Sequence, residues 1–250
     1  MISQKWSKLI RALQQKKYRK IEQLFVVEGE KAVLELLASN WQVAAIFATD
    51  SFLQQHGATC TKAALVQSCS SDELEKVGSF ASNDAALAVV NMPAHSDFVP
   101  HTSGWVLVLD QVNDPGNLGS IIRIADWYGI KHIVCSPDTA DCYNPKVIAA
   151  AKGSFLRVTL HYQPLLPLLR STTLPVFGAY LGGDSVHQLT LSQAAGFIVL
   201  GNEANGISSE LESVISRKIT IPAFGCAESL NVGIAAAVIC DNLMRLSHNG

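Results

Sequence analysis

The chain has 250 residues, 48% of them hydrophobic and 16% charged, enough for one large domain or two small ones around a buried core. A mean hydropathy of +0.22 excludes wholesale disorder, and apolar runs such as residues 234–240 fall far short of the roughly 20 residues that cross a bilayer. The net charge of −2 is unevenly placed: the first 20 residues hold Lys5, Lys8, Arg11, Lys16, Lys17, Arg19 and Lys20 and no acid, so they carry +7 and the other 230 sum to −9.

That amino-terminal stretch, residues 1–20, reads as a basic helical arm. It is either a phosphate-binding element, with Lys5, Lys16, Lys17, Arg19 and Lys20 as candidate RNA contacts, or a solvated helix. Its apolar stripe of Trp6, Leu9, Ile10 and Leu13 is too short for a membrane-surface helix, and it lacks the smooth apolar run of a secretory signal. Residues 21–92 follow as a small α/β domain. Strands are expected at 25–27, 44–48 and 85–90, a helix at 30–38 and a short helix start at 72–77. Residues 93–104, with Pro93 and Pro100 and no periodicity, form a linker. From 105 to 250, short continuously apolar strands (106–109, 133–135, 175–179, 197–200, 218–221) alternate with helical patterns. Strands of that kind are buried on both faces, so an α/β domain with a parallel sheet and helices on both faces is expected. Ligands in such sheets bind in loops beyond the carboxyl ends of the strands.

Three such loops have unusual composition. In the first, a strand ending at Leu109 leads into Asp114-Pro115-Gly116-Asn117, where Pro-Gly makes a turn and Asn117 is placed to cap a helix. Gly119 lies one turn before Arg123 and clears space beside its guanidinium, which then either meets an anion or ties down Asp110 or Asp126. In the second, a buried strand runs into Leu200-Gly201-Asn202-Glu203-Ala204-Asn205-Gly206. Gly201 permits close backbone approach to a ligand, Glu203 can accept its hydrogen bonds, and Ser209 with Glu212 spells a capping box. In the third, Ile221-Pro222 ends a strand, and Glu228-Ser229-Leu230-Asn231 precedes a helix that is apolar nearly all round and therefore buried on several sides.

Together and in this order, the loops resemble the three signature motifs of the SpoU (TrmH-type) RNA ribose 2′-O-methyltransferases of the SPOUT superfamily. The matching residues are Asn-Leu-Gly-x-x-x-Arg at 117–123, Leu-Gly-Asn-Glu-x-x-Gly at 200–206 and Ile-Pro-x-x-Gly-x-x-Glu-Ser-Leu-Asn-Val at 221–232. The resemblance covers roughly residues 105–245. Gly233 stands where many relatives have Ser or Ala, and Asn202 where many have Ser. The resemblance implies a carboxyl-terminal trefoil knot, an exception to the rule that chains avoid knots, and a homodimer. It also implies S-adenosylmethionine as cofactor, held by Ala179, Leu181, Leu200, Gly201, Ile221, Leu230 and Val232. The catalytic residues it implies are Arg123, Asn117, Glu203, Ser229 and Asn231. Residues 25–29 and the helix after them look like the small substrate-binding domain of many relatives, similar to a ribosomal-protein RNA-binding fold.

An arginine with a pKa above about 12 is a poor base, so Arg123 is expected to hold the target phosphate and stabilise charge developing on the 2′-oxygen. The expected substrate is ribosomal RNA, with tRNA as the alternative, and a catalytically silent RNA-binding member of the fold is the rival from another class. Neither Gly-x-Gly-x-x-Gly, nor a Walker lysine loop, nor Gly-x-Ser-x-Gly occurs, which argues against dinucleotide, nucleotide and serine-hydrolase readings. Six cysteines without Cys-x-x-Cys spacing suit a reducing cytoplasm. Seven histidines without ligand spacing give no metal site.

Overall fold

A computed structural model describes residues 1–100 and 103–248, so two residues of the expected linker lie outside it. The chain divides into two compact units, residues 1–94 with 141–156, and residues 95–140 with 157–250.

The first unit runs α1 (Gln4–Ala12), α2 (Lys16–Glu22), β1 (Leu24–Glu28), α3 (Glu30–Ala38), β2 (Val43–Ala48), α4 (Asp50–Cys60), β3 (Val66–Ser68), α5 (Ser71–Val77) and β4 (Ala86–Asn91), and takes in the helix Pro145–Ala151 (α7 in chain order). Its sheet has the order β1-β4-β2-β3, with β4 antiparallel to both neighbours and β3 parallel to β2. The basic segment is part of this unit, because Ile10 and Leu13 are fully buried in a core with Phe47, Leu74 and Leu87. Ser70 and Glu73 form a reciprocal capping box that starts α5.

Arg19 corrects the sequence reading. It is 2% exposed, its Nη2 lies 2.6 Å from Asp141 Oδ2, and its Nη1 donates to the Leu13 carbonyl at 2.7 Å. A guanidinium desolvated and paired in this way is structural, not an RNA contact. Lys5, Lys16, Lys17 and Lys20 are exposed.

In the second unit, β5 (Trp105–Leu109), α6 (Pro115–Trp127), β6 (His132–Cys135), β7 (Thr159–Tyr162), α8 (Leu165–Ser171), β8 (Val176–Ser185), β9 (Gly196–Leu200), β10 (Arg217–Thr220) and α9 (Val232–His248) follow one another. All strand pairs are parallel, in the order β10-β8-β9-β5-β6-β7. The apolar runs become fully buried strands in β5 and β9, as expected. β8 continues past its apolar half into Gly182-Gly183-Asp184-Ser185, which pairs with β10 after a register shift between Lys218 and Ile219. At that shift Gly183 has φ +154, and a Cβ there would lie 2.5 Å from the Lys218 carbonyl oxygen. The chain order reverses beside β5, with β6 and β7 on one side and β9 and β8 on the other. The carboxyl ends there flank the switch point where open α/β sheets bind ligands.

Candidate active site

The first loop joins β5 to α6. Asp114, not Asn117, caps α6: its Oδ1 accepts the Asn117 backbone N–H at 2.8 Å, and Pro115 fills the first helical position, where a missing N–H costs nothing. The proline fixes the start of the helix, so the residue before it must be the cap, and the Asn117 side chain is released for other work. Its Nδ2 donates to Glu203 Oε1 in the second loop. Its Oδ1 accepts from Asn231 Nδ2 in the third at 2.8 Å. Asn231 Oδ1 in turn accepts the N–H groups of Gly233 and Ile234 at 2.9 and 3.3 Å, which caps α9. One polar side chain from each loop thus joins a single chain, Glu203–Asn117–Asn231.

The second loop is pinched. Asn202 and Gly206 exchange backbone hydrogen bonds of 3.0 and 2.8 Å, and a Cβ on Gly201 would lie 2.1 Å from the Gly206 carbonyl carbon. The loop is tied down at both ends. Asn202 Nδ2 donates to the Gln111 carbonyl at 2.8 Å, and the Ser208 N–H donates to Asp110 Oδ2 at 2.7 Å. Asp110 is 3% exposed. These clamps leave Glu203 exposed at the tip. The Ser209/Glu212 capping box does not form: Ser208 opens a 3₁₀ turn without a side-chain cap, and the Glu212 carboxylate takes the Lys218 ammonium at 2.9 Å instead.

Between the second and third loops and β8 lies a cavity of about 1060 Å³. All seven residues expected to hold a cofactor line it: Ala179, Leu181, Leu200, Gly201, Ile221, Leu230 and Val232. Glu203 and Ser229 line it as well, so the Glu203–Asn117–Asn231 chain reaches its wall. Aliphatic walls suit a flat heteroaromatic group. The lining also carries the carboxylates of Glu203 and Glu228, and its one basic residue, Lys218, is engaged with Glu212. That lining suits a ligand that is apolar at one end and cationic at another. Beneath the rim, the Tyr180 hydroxyl is buried, which holds its pKa above the usual phenol value; the Lys218 ammonium, 4.6 Å over the ring, opposes that shift.

Arg123 is exposed and makes no hydrogen bond or ion pair among the described residues. Neither carboxylate that could have tied it down does so: Asp126 pairs with Arg157 at 2.8 Å and Asp110 with the Ser208 N–H. Six residues along α6 turn by about 240°, so Arg123 and Asn117 project about 120° apart, and Arg123 is not among the residues lining the cavity. His132 Nδ1 and His161 Nε2 do approach to 3.2 Å, a pairing that sequence spacing did not reveal because it joins neighbouring strands. Among the described residues no group of His, Cys, Asp and Glu could hold a metal ion, and no helix is long and apolar enough to cross a membrane. Sequence reasoning missed Asp110 as a clamp and Phe224, a cavity-lining residue that is 95% exposed. The signal for Phe224 was an aromatic in Pro-Ala-Phe-Gly, a segment with no periodicity to bury it.

Known proteins resemble the chain over nearly its whole length. The model of the SpoU rRNA Methylase family matches residues 104–241, and that of the MRM3-like substrate binding domain matches residues 7–88. The chain is 30% identical over 245 residues to the 23S rRNA (guanosine(2553)-2′-O)-methyltransferase RlmP of Bacillus subtilis, covering 95% of this chain and 94% of that protein. A TrmH-family structure from Porphyromonas gingivalis superposes with a TM-score of 0.88 at 35% identity, over 98% of this chain and 99% of that one. An AdoMet-bound rRNA methyltransferase from Sinorhizobium meliloti gives 0.87 at 25%, over 98% and 97%. With the second and third loops lining one cavity, the first tied to both through Asn117, and matches over nearly the whole length, the chain belongs to the SpoU rRNA methylase family.

Proposed function

We propose that the protein transfers a methyl group from S-adenosylmethionine to a ribose 2′-hydroxyl of ribosomal RNA. The observation that carries this reading is the hydrogen-bonded chain from Glu203 through Asn117 to Asn231, which ties the first loop to the two loops that line the cavity. The cofactor, when bound, supplies an activated methyl on a sulfonium. Leu200, Ile221, Leu230 and Val232 give its adenine an apolar seat, and the Glu203 and Glu228 carboxylates suit its positive charge. What remains for the protein is alignment and charge stabilisation.

Asn117 cannot rotate without breaking both of its contacts, so it presents a fixed amide edge to the ribose; Ser229 supplies a hydroxyl from the cavity wall. Arg123, unpaired and exposed, is available to the target phosphate and to charge developing on the 2′-oxygen. A homodimer belongs to the same reading. Arg123 lies off its own cavity, while Trp127 on α6 and Ile234 on α9 leave apolar surface, 84% and 56% exposed, for a second copy to cover. The trefoil crossing that the family resemblance implies is also part of it. The first unit would bind RNA, with Lys5, Lys16, Lys17 and Lys20 as its phosphate contacts, and the substrate puts the enzyme in the cytoplasm. The test is methyl transfer to unmodified, in vitro transcribed 23S rRNA of the source organism, followed by digestion to nucleosides. The expected product is a 2′-O-methylated nucleoside; a base-methylated product would overturn the reading.

A further inference from the structure

Three large apolar side chains on the rim of the cavity stand in water: Phe224 at 95% exposure, Leu181 at 81% and Leu230 at 48%. Leu181 and Leu230 flank the seat already assigned to the methyl donor. Phe224 has no such assignment. It sits in the third loop, where residues 223–231 are all exposed, and it makes no aromatic contact within the protein among the described residues. The other aromatic lining the cavity, Tyr180, cannot serve a substrate. Its ring packs back over Gly178 of β8, so close that a Cβ there would lie 2.7 Å from Tyr180 Cε2, and its hydroxyl is buried. Phe224 is therefore the one freely presented aromatic ring among the residues lining the cavity.

An RNA ribose cannot approach the cavity without its base. Single-stranded bases splayed from their stack are held in proteins on aromatic faces, and such stacking tolerates any base because every base has a π-face. We propose that Phe224 is the stacking platform for the base of the nucleotide being methylated, a positioning residue that sets the ribose against Asn117 and the methyl donor. This rests on the reading of the cavity as an RNA 2′-O-methyltransferase site, and it adds a direct contact to the substrate base.

The test uses the full-length protein and unmodified, in vitro transcribed 23S rRNA of the source organism. Phe224→Ala should lower kcat/KM by about 5- to 150-fold, the range for one base stacked on one ring. Phe224→Trp and Phe224→Tyr should stay within about threefold of wild type, whereas Phe224→Leu, apolar but without a ring, should behave like alanine. Two readouts independent of activity accompany the rates: S-adenosylmethionine affinity by calorimetry and oligomeric state by sedimentation. Both should be unchanged in every variant. A Phe224→Ala variant with wild-type kcat/KM overturns the proposal. So does a fall in cofactor affinity that accounts for the whole loss, which would make Phe224 a cover for the methyl donor, or dissociation of the oligomer, which would make it a subunit contact. If the wild-type protein binds the cofactor yet methylates no RNA, the underlying reading fails instead, and the two failures are distinct.

Discussion

Gly201→Ala probes the geometry of the cavity most sharply. The added methyl would lie 2.1 Å from the Gly206 carbonyl carbon, 2.3 Å from its oxygen and 2.3 Å from the Ile207 nitrogen, all of them backbone atoms that cannot swing aside. Two outcomes are open to the chain. It can keep the pinch and bear overpacking of about 1–3 kcal/mol. Alternatively it can open the loop and lose the two Asn202–Gly206 hydrogen bonds, at about 0.5–1.5 kcal/mol each. Both routes converge on about 1–3 kcal/mol, which for a protein of this size lowers Tm by about 2–12 °C. Either distortion moves a wall of the cavity, so S-adenosylmethionine affinity should fall at least about tenfold, equivalent to about 1.4 kcal/mol. Thermal unfolding and titration calorimetry read the two effects. A Gly201→Ala variant with wild-type Tm and cofactor affinity would refute the reasoning.

Further outcomes follow from the same contacts. Arg123→Ala should bind S-adenosylmethionine within about twofold of wild type while losing about 10²–10³ in turnover, the cost of removing one charge-stabilising donor; Arg123→Lys, lacking the planar fork, should recover little. Arg19→Ala should destabilise the first unit by about 3–5 kcal/mol in denaturant unfolding, since it strands Asp141 beside a buried site. Neutralising Lys16, Lys17 and Lys20 should flatten the salt dependence of RNA binding by about 0.7–0.9 per lost phosphate contact; an unchanged slope returns them to a solvated face. The Glu73 carboxyl is held below its ordinary value of 4.5, first by the Ile2 N–H and then by the Ser70 N–H. A lowered folded-state pKa means its stabilising contribution is present above 4.5 and fades as pH falls through the lowered value; Glu73→Gln should remove that acid-side dependence from the unfolding curve.

Much of the second unit was legible because its strands are buried on both faces and so are written as unbroken apolar runs. β7 was missed for the opposite reason: in Thr159–Tyr162 only His161 is buried, so no apolar run marks the strand. The polar half of β8 was missed because glycines and Asp184 disfavour strands by themselves, and only pairing with β10 holds them extended. The three loops were legible as a site from the order of their glycines and polar residues. Their connections were not, since hydrogen bonds between residues 86 and 114 positions apart leave no periodic trace. Arg19 was misread because its partner, Asp141, lies 122 residues away. Local charge shows a basic run, but not which member of it is buried.

The most direct test maps ribose methylation across 23S rRNA from cells lacking the gene, complemented either with the wild-type chain or with Arg123→Ala. A single 2′-O-methylated nucleotide that disappears on deletion, returns with the wild type and stays absent with the variant is the expected result. Identical maps in all three strains would contradict the assignment of this cavity to RNA ribose methylation.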